Sequence, residues 1–170
     1  MALAIVWFRR DLRLSDNAAL AAALANHERV LPVYIHAPEE DAPWQPGAAS
    51  RWWLHHALAD LSTQLQDRLL IRRGASLATL QDLVQRSGAR AVYWNRLYEP
   101  AAIRRDTDVK QALRAAGVTA VSNNAALLFE PWEVQNRQGG AYRVFTPFWK
   151  RLLEFGLPQR PLVVPGLEGR

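Results

Sequence analysis

The chain has 170 residues and a formal net charge of +5, and it is 49% hydrophobic and 22% charged, which excludes a chain that is disordered throughout. It contains no cysteine, which excludes a disulfide framework, a cysteine nucleophile and a cysteine-ligated zinc site. No apolar stretch approaches the ~18 residues of a membrane span, and the N-terminus lacks a signal peptide, so we expect a cytoplasmic protein.

Short apolar runs alternate with segments of helical periodicity along the first 125 residues. The runs are typical of strands covered on both faces, and they lie at Leu3–Phe8, Val30–Ile35, Leu69–Arg72, Ala91–Trp94 and Val118–Val121. The segments between them predict helices at Asn17–Ala25, at Ser50–Gln66, from Ser76 onwards and at Ala101–Ala116. We therefore predict a doubly wound, Rossmann-like α/β domain. Its five-stranded parallel sheet has the order 3-2-1-4-5, with the first strand central and helices on both faces.

Local signals set the ends and faces of these helices. Asn17, or one of the two residues before it, can cap the first helix, and Ser76 can cap the third. Pro100 fits the first turn of the fourth helix. In the second helix Trp53 shares an apolar stripe with leucines such as Leu61, so we expect Trp53 to face the core.

The regular alternation ends after about Asn124. A turn is predicted at Gln138–Ala141 and a short helix at Phe148–Phe155. The last residues are rich in proline and glycine, at Pro158, Pro161, Pro165, Gly166 and Gly169. We therefore divide the chain into an α/β domain at 1–125 and an extension with the start of a linker at 126–170, and expect a longer parent protein.

The loop after the first strand is the first candidate for a binding site. In an open parallel sheet, ligands bind at the carboxyl ends of the strands, near the switch in strand order. The loop Phe8–Asn17 holds three arginines and no glycine, which argues against a dinucleotide fingerprint and a phosphate-cradling loop. Such a charge cluster must either pair internally or meet a ligand. Arginine-rich composition fits a coding bias as well as contact with nucleic acid or a flat anion.

The loops after the second and fourth strands, and the helix that carries Arg51, meet the same edge of the sheet. The candidate site residues are Trp7, Phe8, Arg9, Arg10, Asp11, Arg13, His36, Arg51, Asn95 and Glu99. The first two would offer a ring surface, and the arginines would bind a phosphate or carboxylate. Glu99 would accept a hydrogen bond from a ligand or only neutralise an arginine. We predict no metal site and no complete catalytic constellation, because the histidines lack metal spacing and no serine sits in a nucleophile elbow.

Four stretches resemble the DNA photolyase and cryptochrome family, and they occur in the order that the family shows. They are Val6–Asn17, Ala49–Leu54, Tyr93–Pro100 with Arg104–Asp106, and Tyr142–Trp149. The pattern is most similar to bacterial cyclobutane-dimer photolyases. The resemblance implies that the candidate residues hold an antenna chromophore. It also implies that FAD and UV-damaged DNA bind a separate helical domain, absent from this chain, where excited reduced FAD splits the dimer. The segment alone would then be non-catalytic.

The resemblance also bears on the identity of the antenna. Folate-binding relatives carry an Asn-Glu pair where this chain has Ala101 and Ala102, whereas deazaflavin-binding relatives share an arginine matching Arg51 but have an aspartate in place of Leu97. It therefore implies a flavin-like ring, FMN or deazaflavin, rather than reduced folate, with a pocket filled by Leu97 as the alternative. We expect a monomer without a membrane partner. A cryptochrome-type signalling fragment and, less favoured, a nucleotide-binding α/β domain remain as other hypotheses.

Overall fold

The computed structural model describes residues 2–156 and 161–163. In chain order these residues form β1 (Leu3–Phe8), α1 (Ala18–Asn26), β2 (Arg29–His36), a 3-10 helix (Pro38–Asp41), α2 (Ala48–Gln64), β3 (Leu70–Arg73), α3 (Ser76–Ser87), β4 (Ala91–Asn95), α4 (Pro100–Ala115), β5 (Thr119–Asn123) and α5 (Phe145–Phe155). The predicted alternation of strands and helices is confirmed, with boundaries that differ by at most three residues.

The strands form one parallel sheet in the order β3-β2-β1-β4-β5, as predicted. Side chains of the central strand β1 alternate between two cores. Val6 and Phe8 pack in the core that contains α1 and α2, whereas Ile5 and Trp7 pack in the core that contains α3 and α4. Helices therefore cover both faces, which explains why the β1 sequence is continuously apolar. Because β1 pairs with both β2 and β4, the loops after β1 and β4 begin side by side.

Two helix starts show how the caps are supplied. Asn17 caps α1, and its side-chain oxygen accepts a hydrogen bond from the Leu20 amide at 3.0 Å. The prediction that Ser76 caps α3 is wrong, because Ser76 is the first residue of that helix. Its amide and its hydroxyl both donate to the carboxylate of Glu40, each at 2.6 Å, so the cap comes from the 3-10 helix.

Helix α5 begins at Phe145, three residues before the predicted start at Phe148. Pro147 lies at the third position of the helix. Proline is tolerated there because the amides of the first turn have no partner within the helix. Pro147 is therefore compatible with the earlier start of α5.

The described residues divide into two compact units. One contains the residues up to Ala125 together with Leu162 and Val163, and the other contains the residues between Ala126 and Pro161. Of the prolines and glycines near the C-terminus, Pro161 is exposed, and the other four lie outside the described residues. No helix in the described part of the chain is long and apolar enough to cross a membrane.

Candidate functional site

A cavity of about 970 Å³ opens at the carboxyl ends of β1 and β2, beside the first half of α2. Its volume lies within the usual range of small-molecule sites, about 300–1,000 Å³. Six of the ten predicted site residues line it, and they are Trp7, Arg9, Arg10, Arg13, His36 and Arg51. The edge of the sheet that the strand-order rule selects therefore carries a cavity large enough for a cofactor.

Arg9 lies at the inner end of the cavity, where two of the three nitrogens of its guanidinium bond to the protein. Its Nη1 donates to both carboxylate oxygens of Asp106 on α4, at 2.8 and 2.9 Å, and its Nη2 donates to the backbone oxygen of Asn95. Burial lowers the pKa of Arg9, and the charge of Asp106 opposes that shift. Arg9 thus ties the loop after β1 to β4 and α4.

Asp11 and Asn95 hold the same loop together and do not line the cavity. The buried amide of Asn95 donates to Asp11 and Asn17, and its side-chain oxygen accepts from the Ala19 amide at 2.9 Å. Asp11 also accepts from the backbone amide of Arg9 at 2.9 Å. These two predicted ligand residues therefore join the first loop, the start of α1 and the end of β4.

The two aromatic residues at the end of β1 point in opposite directions. Phe8 is fully buried in the core that contains α1 and α2, so it offers no ring surface to the cavity. Trp7 does line the cavity, and the guanidinium carbons of Arg9 and Arg105 lie 4.7 and 5.6 Å from its ring centroid. Neighbouring residues of a strand point to opposite faces of the sheet, so Trp7 contacts the cavity whereas Phe8 packs in the core.

Arg10, Arg13 and Glu99 all bond to other groups of the protein, but only the two arginines line the cavity. Glu99 lies outside the cavity and accepts from Arg10, whose guanidinium also lies 3.9 Å from Asp41. Arg13 donates to backbone oxygens, among them those of Ser15 and Ala125. Glu99 therefore neutralises an arginine, which was one of its two predicted roles.

Helix α2 contributes the outer wall of the cavity. Trp53 lines that wall and is 71% exposed, so the prediction that it faces the core is wrong. Leu61, in the second half of α2, is the residue of this helix that is fully buried. Apolar periodicity could not separate the two, because α2 both borders the cavity, as far along as Asp60, and packs on the core through residues as early as Leu54.

The 3-10 helix forms the facing wall, and sequence reasoning missed its main anchor. Glu40 bonds to Ser76, as described above, and lies 3.5 Å from the guanidinium of Arg105. No spacing signals this contact, because Glu40 and Ser76 are 36 residues apart. Tyr34 lies beside this wall, and burial, reinforced by the charge of Asp41, raises its pKa above the usual value of a tyrosine. Arg105 lies in one of the stretches that resemble photolyases, and that resemblance is the signal that could have identified it as a site residue.

Within residues 2–156 and 161–163, no group of three or more histidine, aspartate or glutamate side chains is placed to hold a metal ion. The cavity therefore presents arginines, carboxylates and aromatic rings.

Comparison with known proteins identifies the family. Residues 4–165 match the family model described as DNA photolyase. The chain belongs to the DNA photolyase family. It is 45% identical over 164 residues to a deoxyribodipyrimidine photo-lyase of Agrobacterium fabrum, which covers 95% of this chain and 34% of the relative. It is 43% identical over 166 residues to cryptochrome-1 of Arabidopsis thaliana, which covers 95% of this chain and 24% of that protein.

Solved structures show the same fold. A class III photolyase from Agrobacterium tumefaciens matches 97% of this chain and 34% of its own length, with a TM-score of 0.88 and 44% identity. An archaeal photolyase from Sulfolobus tokodaii, solved with two FAD molecules, matches 96% of this chain and 37% of its own, with a TM-score of 0.77 and 25% identity. The chain thus spans about a third of these relatives and corresponds to the photolyase N-terminal domain. Family membership removes the hypothesis of an unrelated nucleotide-binding domain.

Proposed function

We propose that this chain is the light-harvesting domain of a deoxyribodipyrimidine photo-lyase, a lyase that uses blue light to repair pyrimidine dimers in UV-damaged DNA. The observation that carries this proposal is the cavity of about 970 Å³ at the ligand edge of a photolyase-family sheet. When bound there, an antenna chromophore would absorb light and pass its excitation energy to FAD elsewhere in the full-length protein.

The inner end of the cavity favours a ligand that presents hydrogen-bond acceptors. Trp7 Nε1, Arg9 Nε and Arg105 Nη2 are buried donors without an acceptor among the described residues, and all three side chains line the cavity. Buried donors without partners are rare in native proteins. A ring carbonyl or ring nitrogen supplies the missing acceptors, as flavins and pterins both do.

The outer part of the cavity favours a planar ring with an anionic tail. Trp53 presents an exposed indole on the α2 wall, and an aromatic ligand can stack on it. Arg51 is oriented by a hydrogen bond from its Nη1 to the Pro46 carbonyl, at 2.8 Å. Arg73, also on the lining, is mostly exposed and has only a 4.0 Å contact with Glu39. Both guanidiniums are therefore available to a phosphate or carboxylate.

A flavin is our first candidate for the chromophore, ahead of a reduced folate. The archaeal relative was solved with two FAD molecules and described as implicating a novel light-harvesting cofactor, which supports a flavin in this role. Ala101 and Ala102 do not line the cavity, so the absence of the folate-associated pair carries no weight for a ligand in this cavity. Leu97 lines the cavity without filling it, which leaves the filled-pocket alternative without support.

The test is a binding titration with FMN, a deazaflavin and methenyltetrahydrofolate, followed by ligand fluorescence. Trp53→Ala should weaken binding about 5- to 150-fold, because a stacked ring contributes about 1–3 kcal/mol. Trp52→Ala is the matched control, since Trp52 is equally exposed on α2 but does not line the cavity. If methenyltetrahydrofolate binds more tightly than FMN and the deazaflavin, the chromophore is a folate and not a flavin. Absence of binding by all three, or equal effects of both substitutions, would overturn the antenna site.

We further propose that FAD and damaged DNA bind the part of the full-length protein that corresponds to the two-thirds of the relatives outside this match. The 170-residue chain alone should show no light-dependent splitting of thymine dimers. Its DNA affinity should be weak and should fall steeply with salt, because scattered arginines supply it. Dimer splitting by this chain without added protein would show that the assignment is wrong.

A cryptochrome-type photoreceptor is the second candidate, favoured by the 43% identity to Arabidopsis cryptochrome-1. The two functions share this domain, so the cavity does not separate them. Photorepair of a dimer-containing oligonucleotide by the full-length protein would support the lyase. A full-length protein that takes up FAD and leaves the dimer intact under blue light would support the photoreceptor.

A further inference from the structure

Three hydrogen-bond donors at the inner end of the cavity form a cluster with a definite count. They are Trp7 Nε1, Arg9 Nε and Arg105 Nη2, which we call the inner donors, and none has an acceptor among the described residues. Trp7 and Arg9 are 2% and 8% exposed, and the Arg105 side chain is 16% exposed. Because the guanidinium carbons lie 4.7 and 5.6 Å from the Trp7 ring centroid, one ligand edge can reach all three donors.

The protein holds the two guanidiniums of this cluster in place. In Arg9, Nη1 donates to Asp106 and Nη2 donates to the Asn95 carbonyl. In Arg105, Nε donates to Asp106 at 3.3 Å and Nη1 lies 3.5 Å from Glu40. Each guanidinium therefore bonds to the protein through two of its three nitrogens and presents the third to the cavity. The donors are preformed, and a ligand has to match them.

The rim of the cavity determines where the tail of a ligand lies. Arg51 and Arg73 line the outer part, and the Arg73 side chain is 77% exposed. Both can pair with a phosphate or carboxylate. A planar ligand with an anionic tail therefore points its ring edge at the inner donors and its tail at the rim.

An isoalloxazine ring has three polar edges, and one of them meets both conditions. The O2–N3–O4 edge carries an N–H between its two carbonyls, which would face the inner donors. The N1–O2 edge has only acceptors, but the ribityl tail at N10 leaves from the same side and would be directed away from the rim. The N5–O4 edge has only acceptors and lies on the side of the ring opposite to the tail.

We propose that the inner donors bind the N5–O4 edge of a flavin and thereby select FMN over a deazaflavin and over a reduced folate. A carbonyl oxygen accepts two hydrogen bonds and a ring nitrogen accepts one, so O4 and N5 supply three acceptors for three donors. A 5-deazaflavin has C–H in place of N5 and leaves one inner donor unpaired. In methenyltetrahydrofolate N5 is bonded to the bridging carbon and accepts no hydrogen bond. This inference rests on the proposed antenna function and names the chromophore of that same site.

The experiment compares the affinities of FMN, 5-deaza-FMN and 1-deaza-FMN by titration calorimetry. Each analogue replaces one ring nitrogen by C–H and keeps the tail. The affinity of 5-deaza-FMN should be about 5- to 150-fold lower than that of FMN, because a buried donor loses its acceptor. The affinity of 1-deaza-FMN should lie within about twofold of that of FMN, because N1 faces away from the inner donors.

Trp7→Phe tests the count of donors. This variant keeps an aromatic ring but removes one inner donor, so O4 alone can satisfy the two that remain. The preference for FMN over 5-deaza-FMN should then fall below about twofold. Trp94→Phe is the matched control and should keep the wild-type preference, because Trp94 is fully buried, does not line the cavity and already donates its indole N–H to Asp106 at 3.1 Å. A merely structural role of Trp7 would lower both affinities equally and leave the preference unchanged.

The outcomes separate this inference from the antenna proposal. Equal affinities for FMN and 5-deaza-FMN in the wild type, or a loss confined to 1-deaza-FMN, would overturn the assigned edge while the cavity remains a flavin site. Tighter binding of methenyltetrahydrofolate than of FMN would overturn the proposed selection. If neither the flavins nor the folate bind, the antenna proposal fails and this inference fails with it.

Discussion

The two ends of the cavity use similar residues in different ways. At the inner end Arg9, Asp11, Asn95 and Asp106, which we call the inner network, bond to one another and to backbone groups. At the rim the charged groups are loosely paired, and Arg73 approaches Glu39 only to 4.0 Å. The inner network therefore holds the loops in place, and ligand contacts are left to the unpaired donors beside it, such as Trp7 Nε1, and to the rim.

The difference follows from burial. A buried charge is tolerated only with a partner, so Arg9 acquired Asp106 and the loop conformation that presents it. An exposed charge remains hydrated and gains little from a neighbour, so rim residues stay available. Substitutions in the inner network should therefore cost stability first, and substitutions at the rim should affect binding first.

The largest loss of stability is expected from Asp106→Asn. The substitution keeps the shape of the side chain but removes the carboxylate that pairs with the buried Arg9 guanidinium, which should lower the free energy of unfolding by about 3–5 kcal/mol. Urea denaturation measures this change. Asp108→Asn is the control, because Asp108 is exposed on the same helix, and it should change stability by less than about 0.5 kcal/mol. Equal effects of the two substitutions would contradict the assigned role of the inner network.

A smaller loss is expected from Asn95→Ala. This change removes the bonds to Asp11 and Asn17 and leaves the buried Ala19 amide without its acceptor. The free energy of unfolding should fall by about 2–3 kcal/mol. Asn26→Ala removes one exposed side-chain bond at the end of α1 and should cost well under about 1 kcal/mol. If Asn95→Ala unfolds at the wild-type urea midpoint, the buried network contributes little to stability.

The comparison also shows which inferences a sequence supports. The sheet order could be predicted from the apolar β1 sequence and from the alternation of strand and helix patterns. A strand that is buried on both faces is continuously apolar, and this is visible in the sequence. Arg51 and His36 were found because the ends of parallel strands and the start of the next helix meet at one edge. Glu40 was missed, because its partner Ser76 is set by packing between distant segments. Trp53 was misplaced, because periodicity cannot tell an aromatic residue that faces a cavity from one that faces the core.

Two adjacent glutamates of the 3-10 helix, Glu39 and Glu40, allow the buried and exposed parts of the cavity wall to be compared directly. Glu40→Ala removes the cap of α3 and the contact with Arg105, and it should lower the free energy of unfolding by about 1–2 kcal/mol. Chromophore affinity should fall as well, because Glu40 anchors one wall of the cavity. The adjacent Glu39→Ala affects only an exposed 4.0 Å pair and should cost less than about 0.5 kcal/mol. Thermal melts and the flavin titration would show whether the two neighbours differ in this way.

The smallest effect is expected at the exposed pair formed by Arg10 and Glu99. Burial raises the pKa of Glu99, but hydrogen bonds from backbone amides and from Arg10 outweigh it, so the net pKa lies below its usual value. A carboxylate with a lowered pKa in the folded state stabilises the protein above its unfolded-state pKa, and that contribution is lost as the pH falls through the folded-state pKa. Because the Arg10 and Glu99 side chains are 57% and 49% exposed, solvent screening should limit the effect of Glu99→Gln to less than about 1 kcal/mol at neutral pH. The difference in unfolding free energy between wild type and Glu99→Gln should then shrink toward zero on acidification and in high salt. A difference that grows as the pH falls would mean that the fold stabilises the protonated form of Glu99, and would contradict its role as the partner of Arg10.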